Sequence, residues 1–145
     1  MCTDKETVFV SRSESETEEA GFRLARSLSS GSTVLLRGDL GAGKTVFSRG
    51  FARGLGITEP VSSPTYTIVQ EYERPGGGRL YHLDLYRISG VEAALAFGAD
   101  EFFADPAAIA LVEWPERIEG LLPPGAVTVR LEHLSESERR ISICR

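Results

Sequence analysis

The apolar positions of this chain recur with two periods, and the period changes from one segment to the next. Residues 7–10, Thr-Val-Phe-Val, are β-branched and aromatic and read as a short strand. Residues 11–19 are polar and acidic. Ser15 or Thr17 can cap a helix with Glu18 and Glu19 in its first turn, and Ala20, Phe22 or Leu24, Ala25 and Leu28 give its apolar stripe. Ser29-Ser30-Gly31-Ser32 ends that helix, and residues 33–37 form a second strand. Val46 or Phe47, Phe51 and Leu55 then recur at helical spacing, with Gly54 and Gly56 marking the stop. Residues 57–63 read as loop. Residues 68–72 and 80–85, joined by a Pro75-Gly76-Gly77-Gly78 turn, predict a hairpin and so an antiparallel pair. Residues 91–97 predict a short helix closed by Gly98, and residues 100–103 a turn. The unbroken apolar run at 107–112 fits a strand buried on both faces, as in a parallel sheet. Residues 115–118 predict a turn. Residues 126–131 and 140–143 alternate and read as two last strands around a turn at 135–138. This order predicts one domain over residues 1–145: an α/β three-layer sandwich with a mixed parallel/antiparallel sheet.

The segment between the second strand and the second helix carries the chemistry. Gly38-Asp39-Leu40-Gly41-Ala42-Gly43-Lys44-Thr45 reads G-x-x-x-x-G-K-T, set between a strand and a helix N-terminus, so the expected sandwich is P-loop NTPase-like. Glycines let backbone N–H groups converge where a side chain would block a phosphate, and the helix start adds unpaired donors. Lys44 supplies a point charge for the outer phosphates, and Thr45 a hydroxyl for Mg²⁺. The chain has two lysines, Lys5 and Lys44, against fourteen arginines, so a lysine at this position stands out.

Three further residues belong to the same chemistry. The apolar run at 107–112 stops at Glu113, the pattern of an acid that emerges beside a phosphate loop to bind Mg²⁺ directly or through water. On the alternating segment 81–87, Leu83 and Leu85 share one face and His82, Asp84 and Tyr86 the other. Asp84 lies near the strand end, where it can serve Mg²⁺ or a water. Thr65, after Pro64, reads either as a switch-like residue that reaches Mg²⁺ or the γ-phosphate, or as a Ser/Thr turn before a strand. Ser13 and Thr17 read as caps or as contacts to the base or ribose.

Charge and cysteines narrow the setting. A net charge of −5 argues against nonspecific nucleic-acid binding by the whole surface. Arg23, Arg26, Arg49 and Arg53 lie at helical spacings and form either a local basic patch or a solvated helix face. Cys2 and Cys144 sit near the chain ends and are expected as free thiols. No apolar run approaches the ~20 residues of a membrane span, and the N-terminus lacks the apolar core of a signal peptide, so a cytoplasmic location is expected.

Taken together, the loop at 38–45, Ser63-Pro64-Thr65-Tyr66, His82-Leu83-Asp84-Leu85-Tyr86-Arg87 and Val112-Glu113-Trp114-Pro115-Glu116 resemble the bacterial TsaE (YjeE) family over almost the whole chain. The resemblance implies an ATP·Mg²⁺ hydrolase, weak alone, that supports a TsaB–TsaD complex in forming threonylcarbamoyladenosine on tRNA. The tRNA is then met through the complex, and no membrane is involved. By position, Gly38, Asp39, Leu40, Gly41, Ala42, Gly43, Lys44 and Thr45 hold the phosphates. Thr45 and Glu113 hold Mg²⁺. Lys44, Thr65 and Asp84 act in catalysis. Ser13 or Thr17, Glu116 and Arg139 contact the nucleotide. A small-molecule kinase and a noncatalytic nucleotide-dependent binding module are the rival readings. Arg87 and Arg117 are the candidate arginines for a finger in cis.

Overall fold

A computed structural model describes residues 5–61 and 68–145. Seven strands form one sheet in the order β1-β7-β6-β2-β5-β4-β3. They are β1 (Glu6–Ser11), β2 (Thr33–Arg37), β3 (Val69–Glu73), β4 (Arg79–Asp84), β5 (Ala108–Glu113), β6 (Val127–His133) and β7 (Arg139–Cys144). The centre is parallel, with β2 between β5 and β6 and with β4 beside β5. The flanks are antiparallel, made by the β3–β4 and β6–β7 hairpins and by β1 on β7. The mixed sheet is the expected one. β5 is buried at all six positions, as its unbroken apolar run requires.

Helices cover both faces. On one side α1 (Glu14–Arg26) and α2 (Lys44–Gly54) pack over Val34, Leu36, Ile109, Leu111 and Val129. On the other, α3 (Val91–Ala96), α4 (Ala99–Ala104) and a 3-10 segment (Pro115–Leu121) cover Leu35, Leu83, Leu85 and Val112. The odd and even positions of each central strand thus feed two separate cores. Among the described residues no helix is long and apolar enough to cross a membrane.

Helices α1 and α2 touch at the backbone. A Cβ on Gly21 would stand 2.2 Å from the Phe47 carbonyl oxygen, and one on Gly50 only 1.8 Å from that of Glu18. Gly54, the last residue of α2, closes the same seam against Phe22. Arg53 pairs with Glu18 and Glu19 across the seam, Arg49 with Glu14, and Arg23 with Glu19 along α1. Arg23, Arg49 and Arg53 therefore make a solvated, paired helix face and not a basic patch, while Arg26 lies over the Phe22 ring at 5.8 Å.

Among the three capping candidates Ser13, Ser15 and Thr17, it is Ser13 that caps α1, its Oγ accepting from the Glu16 N–H at 3.1 Å. Two expectations are corrected. Residues 99–104 form a helix where a turn was expected, with Gly98 in the left-handed region turning the chain out of α3. Cys144 is disulfide-bonded, not a free thiol. The pairing of Glu6 with Cys144 in β1–β7 brings the two chain ends together, which the sequence separation conceals. The chain's other cysteine, Cys2, lies outside the described residues.

Candidate functional site

The phosphate-loop candidate leaves the C-terminal end of β2 and runs into α2. Gly38 adopts φ 156°, and a Cβ there would meet the Leu131 carbonyl oxygen at 2.7 Å, so the loop starts flush against β6. Gly41 and Gly43 have φ values of 81° and 100°, in the left-handed region that glycine adopts without strain. A Cβ at Gly41 would meet nothing within 4 Å, so this part of the loop faces open space. Ala42 N–H bonds the Asp39 carbonyl and Phe47 N–H bonds Gly43, closing the turn into the helix.

A cavity of about 870 Å³ opens in front of this loop. Its floor holds Lys44, Thr45, Asp84 and Glu113, contributed by the start of α2 and the C-terminal ends of β4 and β5. Parallel pairing sets Asp84 directly beside Glu113. Glu113 shares a strand face with Ile109 and Leu111, the face that α2 covers, so the carboxylate is delivered to the loop. One wall is the N-terminus of α1, with Arg12, Ser13 and Thr17. Beside it lies the β6–β7 turn, with Glu136, Ser137 and Arg139, since Ser11 of β1 pairs directly with Arg139 of β7.

Lys44 is the most constrained of these groups. It is 6% exposed, and its Nζ has no hydrogen-bond partner among the described residues. The ammonium sits 3.9 Å from the centroid of the Trp114 ring. Burial lowers its pKa from the ordinary 10.5, while the charges of Glu113, Asp84, Glu116 and Asp39 act in the opposite sense. Trp114 itself has φ 59°, the one positive φ on a non-glycine residue among the described residues. That conformation costs about 1–2 kcal/mol and turns the chain sharply after β5. The ring then packs between Lys44 and Tyr86, whose own ring lies 4.9 Å away.

The other predicted residues fall into three groups. Leu40, Gly41, Gly43, Lys44, Thr45, Ser13, Thr17, Asp84, Glu113 and Arg139 all line the cavity. Ser13 also caps α1, and Thr17 is buried with its hydroxyl 2.6 Å from that of Ser11. Arg139 spends its guanidinium on backbone. Nε donates to the Ala42 carbonyl at 3.1 Å, Nη2 to Gly41 at 3.3 Å, and Nη1 to Ser135 at 2.7 Å. Gly38, Asp39, Ala42 and Glu116 stand outside the cavity wall; Glu116 is exposed on the 3-10 segment and reaches Lys44 only through its charge. Thr65 lies outside the described residues. Among the arginines proposed as fingers, Arg87 lines the cavity and Arg117 lies over the Tyr86 ring at 5.7 Å. Arg12, Tyr86, Glu136 and Ser137 were missed, because only tertiary packing brings them to the rim.

The arrangement suits a polyphosphate with its divalent ion. Among the described residues the buried ammonium has no hydrogen-bond partner, and Gly41 leaves open space in the loop before it. Among the described residues no three or more acidic, histidine or cysteine side chains gather into a metal cage. An ion that also takes phosphate oxygens and waters needs only one or two protein ligands, and Thr45 and Glu113 are the residues on the cavity floor that could hold it.

Comparison with known proteins finds relatives across most of the chain. The family described as "Threonylcarbamoyl adenosine biosynthesis protein TsaE" matches residues 11–141. The tRNA threonylcarbamoyladenosine biosynthesis protein TsaE of Treponema pallidum is 40% identical over 92% of this chain and 97% of its own length. The protein of the same name from Bacillus subtilis is 45% identical over 77% of this chain and 68% of its own. The crystal structure of Bacillus subtilis YdiB superposes with a TM-score of 0.82 at 35% identity, covering 99% of this chain and 87% of that one. With a match across nearly all of its length and relatives at these identities, this chain belongs to the TsaE family.

Proposed function

We propose that this protein binds ATP with Mg²⁺ and hydrolyses it to support a TsaB–TsaD complex in forming threonylcarbamoyladenosine on tRNA. The observation that carries the nucleotide reading is the Lys44 ammonium, buried without a hydrogen-bond partner among the described residues at the start of α2. A buried unpaired cation is costly, and a phosphate is the ligand that would relieve it. The family membership carries the tRNA-modification reading.

In this scheme the loop amides at 39–45 and Lys44 take the β- and γ-phosphates. Thr45 and Glu113 hold Mg²⁺, which when bound neutralises charge developing on the transferred phosphoryl group. Asp84, whose Oδ1 accepts from the Tyr86 N–H at 3.0 Å, is fixed at the strand end to orient the attacking water. Thr65 is assigned to the loop whose conformation follows the γ-phosphate. Ser13 and Thr17, on the same side of the cavity as Arg139, hold the nucleoside end, with Glu116 adding charge nearby. A kinase lid has no counterpart among the described residues between α2 and β6, where the two α-helices have six residues each and the 3-10 segment seven.

The test is ATP hydrolysis by the chain alone and with its cognate TsaB–TsaD complex, beside a Glu113→Ala variant. Slow turnover alone, rising about tenfold or more with the complex and lost in the variant, is expected. Tight ATP binding with no stimulation would replace this reading by a nucleotide-dependent binding module.

A further inference from the structure

His82 is 1% exposed, and its Nε2 lies 2.7 Å from Oε2 of Glu113, itself 3% exposed. The two side chains share a sheet face. His82 sits two residues before Asp84 on β4, opposite Leu111, and so lies diagonally across from Glu113 on β5. An ionised carboxylate can only accept, so the imidazole must donate through Nε2. The remaining ring nitrogen, Nδ1, has no hydrogen-bond partner among the described residues. A buried histidine is thus committed to a single carboxylate oxygen.

We propose that His82 is a positioning residue for Glu113: it holds Oε2 and thereby aims Oε1 at the Mg²⁺ position in front of Thr45. The proposal rests on the reading of Glu113 as the Mg²⁺ carboxylate. Its physical basis is rotational. Glu113 ends a strand, and its carboxylate has torsions free to turn either oxygen away from the loop. A hydrogen bond from a side chain packed under the sheet's helical cover removes that freedom before any ion arrives. It also gives a donor to one oxygen of a buried carboxylate. Groups that orient a metal ligand in this way typically change metal affinity about 10- to 100-fold when removed.

Three substitutions separate this role from simple packing. His82→Leu keeps the volume and removes the donor. His82→Gln places an amide N–H near the Nε2 position. His82→Asn keeps a polar group that is too short to reach Glu113, and it stands in for the leucine variant should that one fail to fold. The readouts are the melting temperature, nucleotide affinity in EDTA, and the Mg²⁺ concentration giving half-maximal tightening of nucleotide binding. For His82→Leu and His82→Asn the Mg²⁺ requirement should rise about tenfold or more, with affinity in EDTA within about twofold of wild type. His82→Gln should return the requirement to within about threefold of wild type.

An unchanged Mg²⁺ requirement in folded His82→Leu or His82→Asn, while Glu113→Ala raises it, would overturn the role of His82 alone. A glutamine variant as impaired as leucine, with both folded, would overturn it as well. A Glu113→Ala protein with wild-type Mg²⁺ dependence would remove the underlying metal reading, and the proposal with it.

Discussion

Lys44 is held in a position that only a ligand makes comfortable. Its ammonium is buried, has no hydrogen-bond partner among the described residues, and rests on the Trp114 ring. A contact of that kind returns about 0.5–2 kcal/mol, while leaving a buried donor unsatisfied costs about 1–3 kcal/mol or more for a charge. The charges of Glu113, Asp84, Glu116 and Asp39 offset the remainder, so Lys44→Met should leave the nucleotide-free protein within about 1 kcal/mol of wild type, a Tm change of no more than about 2–4 °C. The same variant should lose nucleotide binding. Trp114 is the chain's single tryptophan, so its emission reports on this exchange directly. Adding ATP·Mg²⁺ should change that emission in the wild type, as Lys44 leaves the ring for phosphate, and leave it unchanged in Lys44→Met. A destabilised variant that still responded to nucleotide would contradict the account. The lysine itself was legible in the sequence from the spacing of its glycines. Its neighbour on the ring was not, because the left-handed turn at Trp114 follows from how β5 exits the sheet and leaves no local signature.

The α1–α2 seam shows the same division between local pattern and packing. Gly50 and Gly54 fall within a helical pattern, where glycine costs about 1 kcal/mol against alanine. Sequence reasoning read Gly54 as an end signal and gave Gly50 no role. Packing supplies the reason, since Gly50 lets the backbone of α2 reach that of α1, and an added Cβ would lie 1.8 Å from the Glu18 carbonyl. Overpacking of this severity outweighs the gain in helix propensity, so Gly50→Ala should destabilise the protein by about 2 kcal/mol. Nucleotide affinity should fall too, because α1 carries Ser13 and Thr17 into the cavity. Gly120→Ala is the control: its Cβ would meet nothing within 4 Å, and both Tm and affinity should stay near wild type. Elements defined by their own periodicity, such as β2, β5 and the two hairpins, were readable for that reason. The hydrogen bond between His82 and Glu113 was not, since it depends on the register of β4 against β5, which no single segment encodes.

The cavity is assembled from parts that are far apart in the chain. The start of α1, the loop at 38–45, the ends of β4 and β5 and the β6–β7 turn each contribute a wall, and the parallel centre of the sheet brings them to one edge. Arg139 ties two of these parts together without any ligand. Its guanidinium bonds the carbonyls of Gly41 and Ala42 on one side and those of Ser135 and Glu138 on the other. The resemblance marked Arg139 as a nucleotide contact, and the geometry gives it a second task that sequence could not show, holding the loop against the last hairpin. A ligand that touches all four walls should therefore stabilise the whole fold. At about 100 times its Kd it contributes about 2.7 kcal/mol, which for a domain of this size raises Tm by about 5–10 °C. Arg139→Ala should keep the fold, because the β6–β7 ladder does not pass through that guanidinium, but it releases the loop from the hairpin. The loop must then be ordered by the ligand itself, so nucleotide affinity should drop about tenfold, equivalent to about 1.4 kcal/mol. At the same ATP concentration the thermal shift should shrink by about half, with the nucleotide-free Tm lowered by only a few degrees. An Arg139→Ala protein with a full thermal shift would mean that the loop keeps its shape without the strut, and that the hairpin is only a neighbour of the site.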